Sequence, residues 1–110
     1  MDITIEAIRE CVARGNYFVK SHAVIHASKE GFDDLHMAEA VLGGKIIEDY
    51  PTERRVLVCG LAALTENVTV YLHVVCEYSD PGFVDFVTAY IPDDAQWQVP
   101  PFSRRRKHRR

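Results

Sequence analysis

The sequence lacks the features that define several large protein classes. Its three cysteines, Cys11, Cys59 and Cys76, are odd in number and widely spaced, which fits neither a disulfide framework nor a thiolate metal site. No apolar run reaches the roughly 20 residues that a membrane-spanning helix requires. The acidic, amphipathic N-terminus differs from a secretory signal. We therefore expect a cytoplasmic protein with free thiols, at least two of them buried, and no membrane association.

Motifs for common cofactors and enzyme classes are also missing. The chain has no Walker loop, dinucleotide fingerprint or Ser–His–Asp ordering, and we predict no cofactor. His22 and His26 are spaced like the two histidines of a helical zinc site, but the glutamate that accompanies such a pair is absent. A third ligand would have to come from His36, His73 or a carboxylate such as Glu48. We therefore predict no metal site.

Charge is distributed very unevenly along the chain. Residues 1–103 contain seven basic and sixteen acidic side chains, whereas residues 104–110 read RRRKHRR. We predict one α+β domain over residues 1–99, followed by a basic, disordered tail over residues 100–110. The tail has two interpretations: it contacts phosphate backbones in a salt-dependent way, or it is solvated and folds back on the acidic body.

Hydrophobic spacing in the first half predicts three helices and a short strand. A helix is expected over residues 3–13, a strand over 17–20, and a second helix over 21–30 with Ser21 as its N-cap. A third helix follows an aspartate cap at Asp33 or Asp34 and ends at Gly43-Gly44. Its expected apolar stripe consists of Leu35, Ala38 and Leu42, with Met37 and Val41 beside it.

The second half is rich in strand-forming residues separated by short turns. Strands are predicted over residues 45–51, 54–62, 67–78 and 83–92, with the clearest turn at residues 79–82. Neighbouring strands with short connections pair as an antiparallel meander. We predict helices packed on one face of a four- to five-stranded antiparallel sheet. Strict alternation places Phe86, Thr88 and Tyr90 together on one face of it.

Several short motifs, in order, resemble one family of small domains. These are Ser21-His22-Ala23, the run from Gly43 to Pro51 (GGKIIEDYP), Leu72–Val75 (LHVV), Thr88–Asp93 (TAYIPD) and Trp97. On these motifs the chain resembles the domain of unknown function family 4258. That family is similar to RelE-like toxins and is placed with the barnase/colicin/RelE-type ribonuclease fold. The family pattern has an arginine four residues after its histidine, where this chain has His26.

The resemblance implies a toxin-type, metal-independent endoribonuclease of a toxin–antitoxin-like system. In that chemistry the ribose 2′-OH attacks the adjacent phosphorus, which leaves a 2′,3′-cyclic phosphate and a 5′-hydroxyl. It requires a general base, a general acid and positive charge beside the phosphate. The implied catalytic residues are His22, His26, His73, Thr88 and Tyr90, and the implied substrate-binding residues are Arg54, Arg55 and Trp97. The implied partners are RNA or the ribosome, and an antitoxin protein.

The residues leave a second interpretation open. Without the arginine fork, and with an acidic body, the domain can be a catalytically inactive relative that docks a protein partner. A nuclease should bring His22 and a second His or Tyr together around a phosphate-sized space. A binding module should instead show scattered histidines and a flat or apolar patch.

Overall fold

Three helices and five strands make up the protein in the computed structural model, which describes residues 3–106. The elements in chain order are α1 (Ile5–Ala13), β1 (Tyr17–Val19), α2 (Ser21–Glu30), α3 (Asp34–Gly43), β2 (Lys45–Tyr50), β3 (Arg55–Thr65), β4 (Val68–Glu77) and β5 (Val84–Tyr90), with a 3₁₀ turn at Pro51–Glu53. The predicted α+β class is confirmed. None of the helices in the described part of the chain is long and apolar enough to cross a membrane.

The strands form one sheet in the order β1-β5-β4-β3-β2. The four strands from β2 to β5 are the predicted antiparallel meander. β1 differs from the prediction, because it pairs with β5 in parallel through the register Tyr17↔Val84 to Val19↔Phe86. This parallel pairing is possible because two helices and the strands β2 to β4 lie between β1 and β5 in the chain, which gives a long enough crossover. The edges of the sheet are therefore β1 and β2.

Helix ends follow local capping chemistry. The Thr4 side chain accepts a hydrogen bond from Ala7 N at the start of α1. At α3, the Asp33 carboxylate accepts from Leu35 N and His36 N, and the His36 ring accepts from Asp33 N in return. The predicted Ser21 cap is wrong, since Lys20 holds the cap position of α2 without a side-chain bond.

The three helices cover one face of the sheet, which we call the helix face. Its core contains Ile8 of α1, Ala23 and Ala27 of α2, and the strand residues Val58, Leu72, Val74 and Phe86. Helix α3 approaches β3 closely, because Gly60 leaves room for the Ala40 backbone. This contact rotates α3 away from the predicted stripe: Met37, Ala38, Ala40 and Val41 are buried, and Leu35 and Leu42 are exposed.

A register shift in β5 changes which of its residues share a face. Cys76 of β4 lies opposite Phe86, whereas the preceding residue Val75 lies opposite Thr88, so Val87 is an extra residue in β5. Phe86 therefore enters the helix-face core, while Thr88 and Tyr90 point to the opposite face. The predicted alternation through β5 is wrong at this point. We call the side opposite the helices the second face.

The segment after β5 folds back over the second face. Gln98 N donates to Ser103 O and Arg105 N donates to Gln96 O, each at 2.9 Å. These bonds make residues 96–105 a small hairpin, here called the C-terminal hairpin, with Trp97 and Arg104 as bridge partners. Pro101, within it, is buried. The hairpin continues through the boundary predicted at residue 99, and residues 107–110 of the predicted tail lie outside the described residues.

Candidate functional site

The predicted catalytic residues divide between the two faces of the sheet. His22 and His26 lie on α2, which packs against β5 on the helix face. His73, Thr88 and Tyr90 lie on the second face, where the register pairs His73 with Tyr90 and Val75 with Thr88. The sheet itself therefore separates the two groups. A single site that contains all five side chains is excluded in this conformation.

On α2, the two histidines stack without sharing a hydrogen bond. Their ring centroids are 6.3 Å apart, with the rings nearly parallel. His22 is exposed to solvent. The His26 Nδ1–H donates to the Ala89 carbonyl at 2.9 Å, and its Nδ1 lies 3.6 Å from a Glu30 carboxylate oxygen. His26 thus ties α2 to the end of β5, which is a structural contact.

His73 occupies the centre of the second face and is completely buried. Its Nε2 lies 2.8 Å from the Pro101 carbonyl oxygen, which can only accept, so Nε2 carries the proton. Its Nδ1 lies 3.1 Å from the Tyr90 hydroxyl. Burial lowers the pKa of the imidazole, against the opposing effects of the Pro101 hydrogen bond and the Glu48 charge. Nδ1 of the neutral His73 therefore accepts a hydrogen bond from the Tyr90 hydroxyl.

Two aromatic side chains enclose the His73 ring. The Trp97 ring stands perpendicular to it at a centroid distance of 4.4 Å, and the Tyr90 ring lies at 5.2 Å. Trp97 is 3% exposed, and its interior position excludes direct stacking on a nucleobase in this conformation. Burial raises the pKa of Tyr90 to about 12. Tyr90 is therefore a neutral phenol that donates a hydrogen bond.

The two predicted substrate-binding arginines lie away from His73. Arg54 has a left-handed backbone conformation with φ +55° after the 3₁₀ turn, and its guanidinium lies 5.4 Å from the centre of the Tyr78 ring. Arg55 starts β3, where its Nε donates to Glu77 at 2.9 Å. Glu77 is four residues from His73 along β4, roughly 13 Å at the usual strand rise. Neither arginine is placed to bind the same phosphate that His73 would reach.

A carboxylate, a phenol and a guanidinium that sequence reasoning did not assign complete the second face. Glu48 of β2 accepts from Arg104 Nε at 2.8 Å and from Arg104 Nη2 at 3.0 Å, and the Tyr50 hydroxyl also donates to it. The Arg104 guanidinium lies 4.5 Å from the Trp97 ring centre. Chiefly through the Arg104 hydrogen bond, the pKa of the Glu48 carboxyl is held below its usual value. The Tyr50 pKa is raised, mostly by burial.

One sequence signal pointed to part of this group. Glu48 and Tyr50 are two residues apart in a strand, so they share a face, and both belong to the GGKIIEDYP motif. Nothing in the sequence placed Arg104 beside them, since it belongs to a run of basic residues far along the chain. Of the two interpretations of that run, the Arg104–Glu48 pair corresponds to a segment folded back on the acidic body.

Two cavities in the described part of the chain lie away from the three histidines predicted to be catalytic. One cavity of about 450 Å³ is lined by α1, Arg54 and the residues before β5, and another of about 440 Å³ lies between α2 and α3. Neither is lined by His22, His26 or His73. Among residues 3–106, no three His, Cys, Asp or Glu side chains are grouped closely enough to hold a metal ion.

Comparison with known families gives one match. The family described as Domain of unknown function (DUF4258) matches residues 2–91. The chain belongs to this family. The match includes the motifs around His22, Glu48, His73 and Tyr90, and it ends before Trp97 and the C-terminal hairpin. No curated protein and no solved structure matches the chain.

The second face therefore combines groups that suit acid–base chemistry on an anionic substrate. His73 is a neutral base, Tyr90 and Tyr50 are proton donors, and Arg104 carries positive charge beside the Glu48 carboxylate. All of these groups are at present satisfied by one another or by the C-terminal hairpin. Reaction at His73 requires the hairpin to move.

Proposed function

We propose that this DUF4258 protein is a metal-independent endoribonuclease of the RelE-like toxin type, with its site on the second face of the sheet. The observation that supports the proposal is the shared position of His73, Tyr90, Glu48 and Arg104 on that face. They supply the base, the acid and the positive charge that RNA cleavage by the ribose 2′-OH requires. RNA, free or on the ribosome, is the proposed substrate, and an antitoxin protein the proposed partner.

The roles follow from the protonation states. With the hairpin moved and the His73 proton shifted from Nε2 to Nδ1, the 2′-oxygen bonds to phosphorus while its proton passes to Nε2, and the bond from phosphorus to the 5′-oxygen breaks. A phenol hydroxyl, that of Tyr90, donates a proton to the leaving 5′-oxygen. Arg104 binds the phosphoryl oxygens, on which negative charge develops, and therefore moves with the RNA when the hairpin opens. His22 and His26, on the helix face, have no role in these steps.

A binding module is the second candidate function, and a specific observation favours it. Both ring nitrogens of His73 are engaged within the chain, and His22 and His26 are 6.3 Å apart at the ring centroids with no shared partner. Histidines that are scattered over two faces were the expectation for a catalytically inactive domain. In this alternative the buried network on the second face stabilises the fold, and the domain docks a protein partner.

The experiment compares the wild type with Tyr90→Phe, His73→Gln and His22→Ala during induced expression in a bacterial host. Tyr90→Phe removes one hydroxyl and keeps the packing, so it separates chemistry from folding. The nuclease predicts growth arrest and new 5′-hydroxyl RNA ends for the wild type and His22→Ala. It predicts a loss of cleavage of about 100-fold or more for Tyr90→Phe and His73→Gln.

The other outcomes assign the function differently. If His22→Ala abolishes cleavage while Tyr90→Phe does not, the site is on α2 and the second-face proposal is wrong. If the wild type is soluble but causes neither arrest nor new ends, with and without added ribosomes in vitro, the binding module replaces the nuclease.

A further inference from the structure

The C-terminal hairpin lies on the second face and contacts His73, Glu48 and Lys45. The Pro101 carbonyl accepts a hydrogen bond from Nε2 of His73, and Arg104 donates hydrogen bonds to Glu48. The Lys45 ammonium lies 3.7 Å from the Phe102 ring centre. Phe102 also meets the Tyr71 ring edge-on at 5.4 Å. The hairpin thus occupies the position that a substrate strand would take over His73.

The Arg104–Glu48 pair is the contact most open to competition from solution. The two side chains form a bidentate fork, but the Arg104 side chain is 57% exposed and that of Glu48 is 22% exposed. An ion pair that is accessible to water contributes about 1 kcal/mol or less. The hydrogen bond from His73 to Pro101, in contrast, joins two buried residues. An anion can therefore reach the guanidinium while the rest of the hairpin is still closed.

A phosphodiester presents two oxygens in the same fork geometry as the Glu48 carboxylate. We propose that Arg104 is a phosphate-binding residue whose guanidinium pairs with Glu48 until RNA binds. A phosphodiester of single-stranded RNA displaces Glu48 from Arg104, and the C-terminal hairpin then separates from His73. The inference deepens the proposed function and rests on it for the choice of RNA. The basic residues that follow Arg104 in the sequence favour a polyanion with closely spaced charges.

Transfer of Arg104 changes three groups at once. The Glu48 carboxylate loses its hydrogen bonds from Arg104 and keeps the one from the Tyr50 hydroxyl. The Pro101 carbonyl leaves the His73 Nε2, so the imidazole becomes accessible to a ribose hydroxyl. Trp97, which lies under the Arg104 guanidinium, is uncovered. RNA binding and exposure of the acid–base groups are therefore one event.

The single tryptophan of the chain provides the measurement. Trp97 emission and its quenching by acrylamide are followed during titration with a 2′-O-methyl oligouridylate, which binds as RNA does but has no 2′-OH to react. Binding is measured separately by the anisotropy of a labelled probe. The wild type should show a red shift and increased quenching in step with binding.

Variants test directly whether RNA displaces Glu48 from Arg104. Glu48→Gln keeps the size of the side chain and removes the competing charge, so opening should require about fivefold less probe, equivalent to the ~1 kcal/mol of an exposed pair. Because the pair contributes about 1 kcal/mol or less, Arg104→Ala should increase the quenching of Trp97 without probe by a small amount, and it should bind the probe more weakly. Arg14→Ala is the matched control, because Arg14 also pairs with a glutamate, Glu10, at 2.7 Å but lies on α1. It should behave as the wild type.

Three results would overturn the inference. They are absence of probe binding, binding that leaves Trp97 emission and quenching unchanged, and an equal response to polyglutamate of matched charge, which would indicate a general anion effect instead of RNA. The proposed nuclease is tested apart from this, with unmodified RNA and Tyr90→Phe. Separation of the hairpin from His73 without RNA cleavage would refute the nuclease alone. RNA cleavage without separation of the hairpin would refute the hairpin mechanism alone.

Discussion

His73 shows how a single residue is set by its surroundings. It lies in a strand of Val and Leu residues, has no exposed surface, and uses both ring nitrogens within the chain. Glu48 and Arg104 are the charged groups whose fields act on it, in opposite directions. Because burial disfavours the imidazolium, the folded state keeps His73 neutral at a pH at which an unfolded histidine begins to bind a proton.

This burial predicts a pH dependence of stability. The His73 pKa is below its ordinary value of 6.5 in the folded state, so the unfolded state binds the proton first as the pH falls. The free energy of unfolding should therefore decrease below about pH 6.5, by at most about 1.4 kcal/mol per pH unit from this one group. Urea denaturation between about pH 7.5 and about pH 5.5 measures it.

The His73→Gln variant should lack the part of the pH dependence of stability that comes from His73. The His22→Ala variant, in which an exposed histidine is replaced, should keep it. If His73→Gln and the wild type lose stability in parallel over this range, His73 is not held neutral by the fold. The lowered pKa of Glu48 affects the free energy of unfolding only near and below the ordinary value of 4.5, which lies outside the pH range of this comparison.

At the scale of elements, the close approach of α3 to β3 fixes the helix layer. A Cβ built on Gly60 would lie 1.9 Å from the Ala40 carbonyl oxygen and 2.7 Å from its carbon. Both are backbone atoms, so rotation of a side chain cannot relieve the overlap. The same approach turns Leu35 and Leu42 outward and places the small residues of α3 against the sheet.

Gly60→Ala should therefore be strongly destabilising. Since α3 must move away from β3, we expect a loss of about 3 kcal/mol in the free energy of unfolding. Gly43→Ala is the matched control: it lies at the end of α3, and its added Cβ would meet nothing within 4 Å. It should change the free energy of unfolding by about 0.5 kcal/mol or less, and we expect an increase. Similar values for both substitutions, from urea denaturation, would contradict the close approach.

These elements show what the sequence did and did not predict. The strands, with ends within three residues of those predicted, the turn at residues 79–82 and the end of α2 at Gly31 follow from local propensity and glycine conformation, and the structure has them. The face of Thr88 was predicted wrongly because the extra residue Val87 breaks the alternation. No local signal distinguishes a bulge residue from its neighbours, since the register depends on the partner strand.

The whole molecule has a second, smaller apolar layer on the side opposite the helices. Leu57, Cys59 and Trp97 are buried but do not belong to the helix-face core. Cys59 lies opposite both Lys45 and His73 in the register, and hence on the second face, whereas Cys76 is in the helix-face core. Burial raises the pKa of the Cys59 thiol to about 11 and that of Cys76 still further.

Removal of the hairpin should therefore expose one buried thiol selectively. In a variant that ends at Asp94, Cys59 should react with a thiol reagent much faster than in the full chain, while Cys76 stays protected under the helices. The partly exposed Cys11 should react in both proteins. Mass spectrometry of the labelled peptides, with Cys59→Ser as the control, identifies the site. Equal labelling of Cys59 and Cys76 would mean that the two layers unfold together.

The α+β class, the order of the elements and the family could all be predicted from the amino-acid sequence. These properties depend on periodicity, turn residues and short motifs, which are local along the chain. Which residues meet depends on the tertiary structure. It separated His22 and His26 from His73 by the sheet, moved Thr88 and Tyr90 to the second face through the bulge, and brought Arg104 to Glu48 across 56 positions. Contacts of that separation depend on register and on the return of the chain over the sheet.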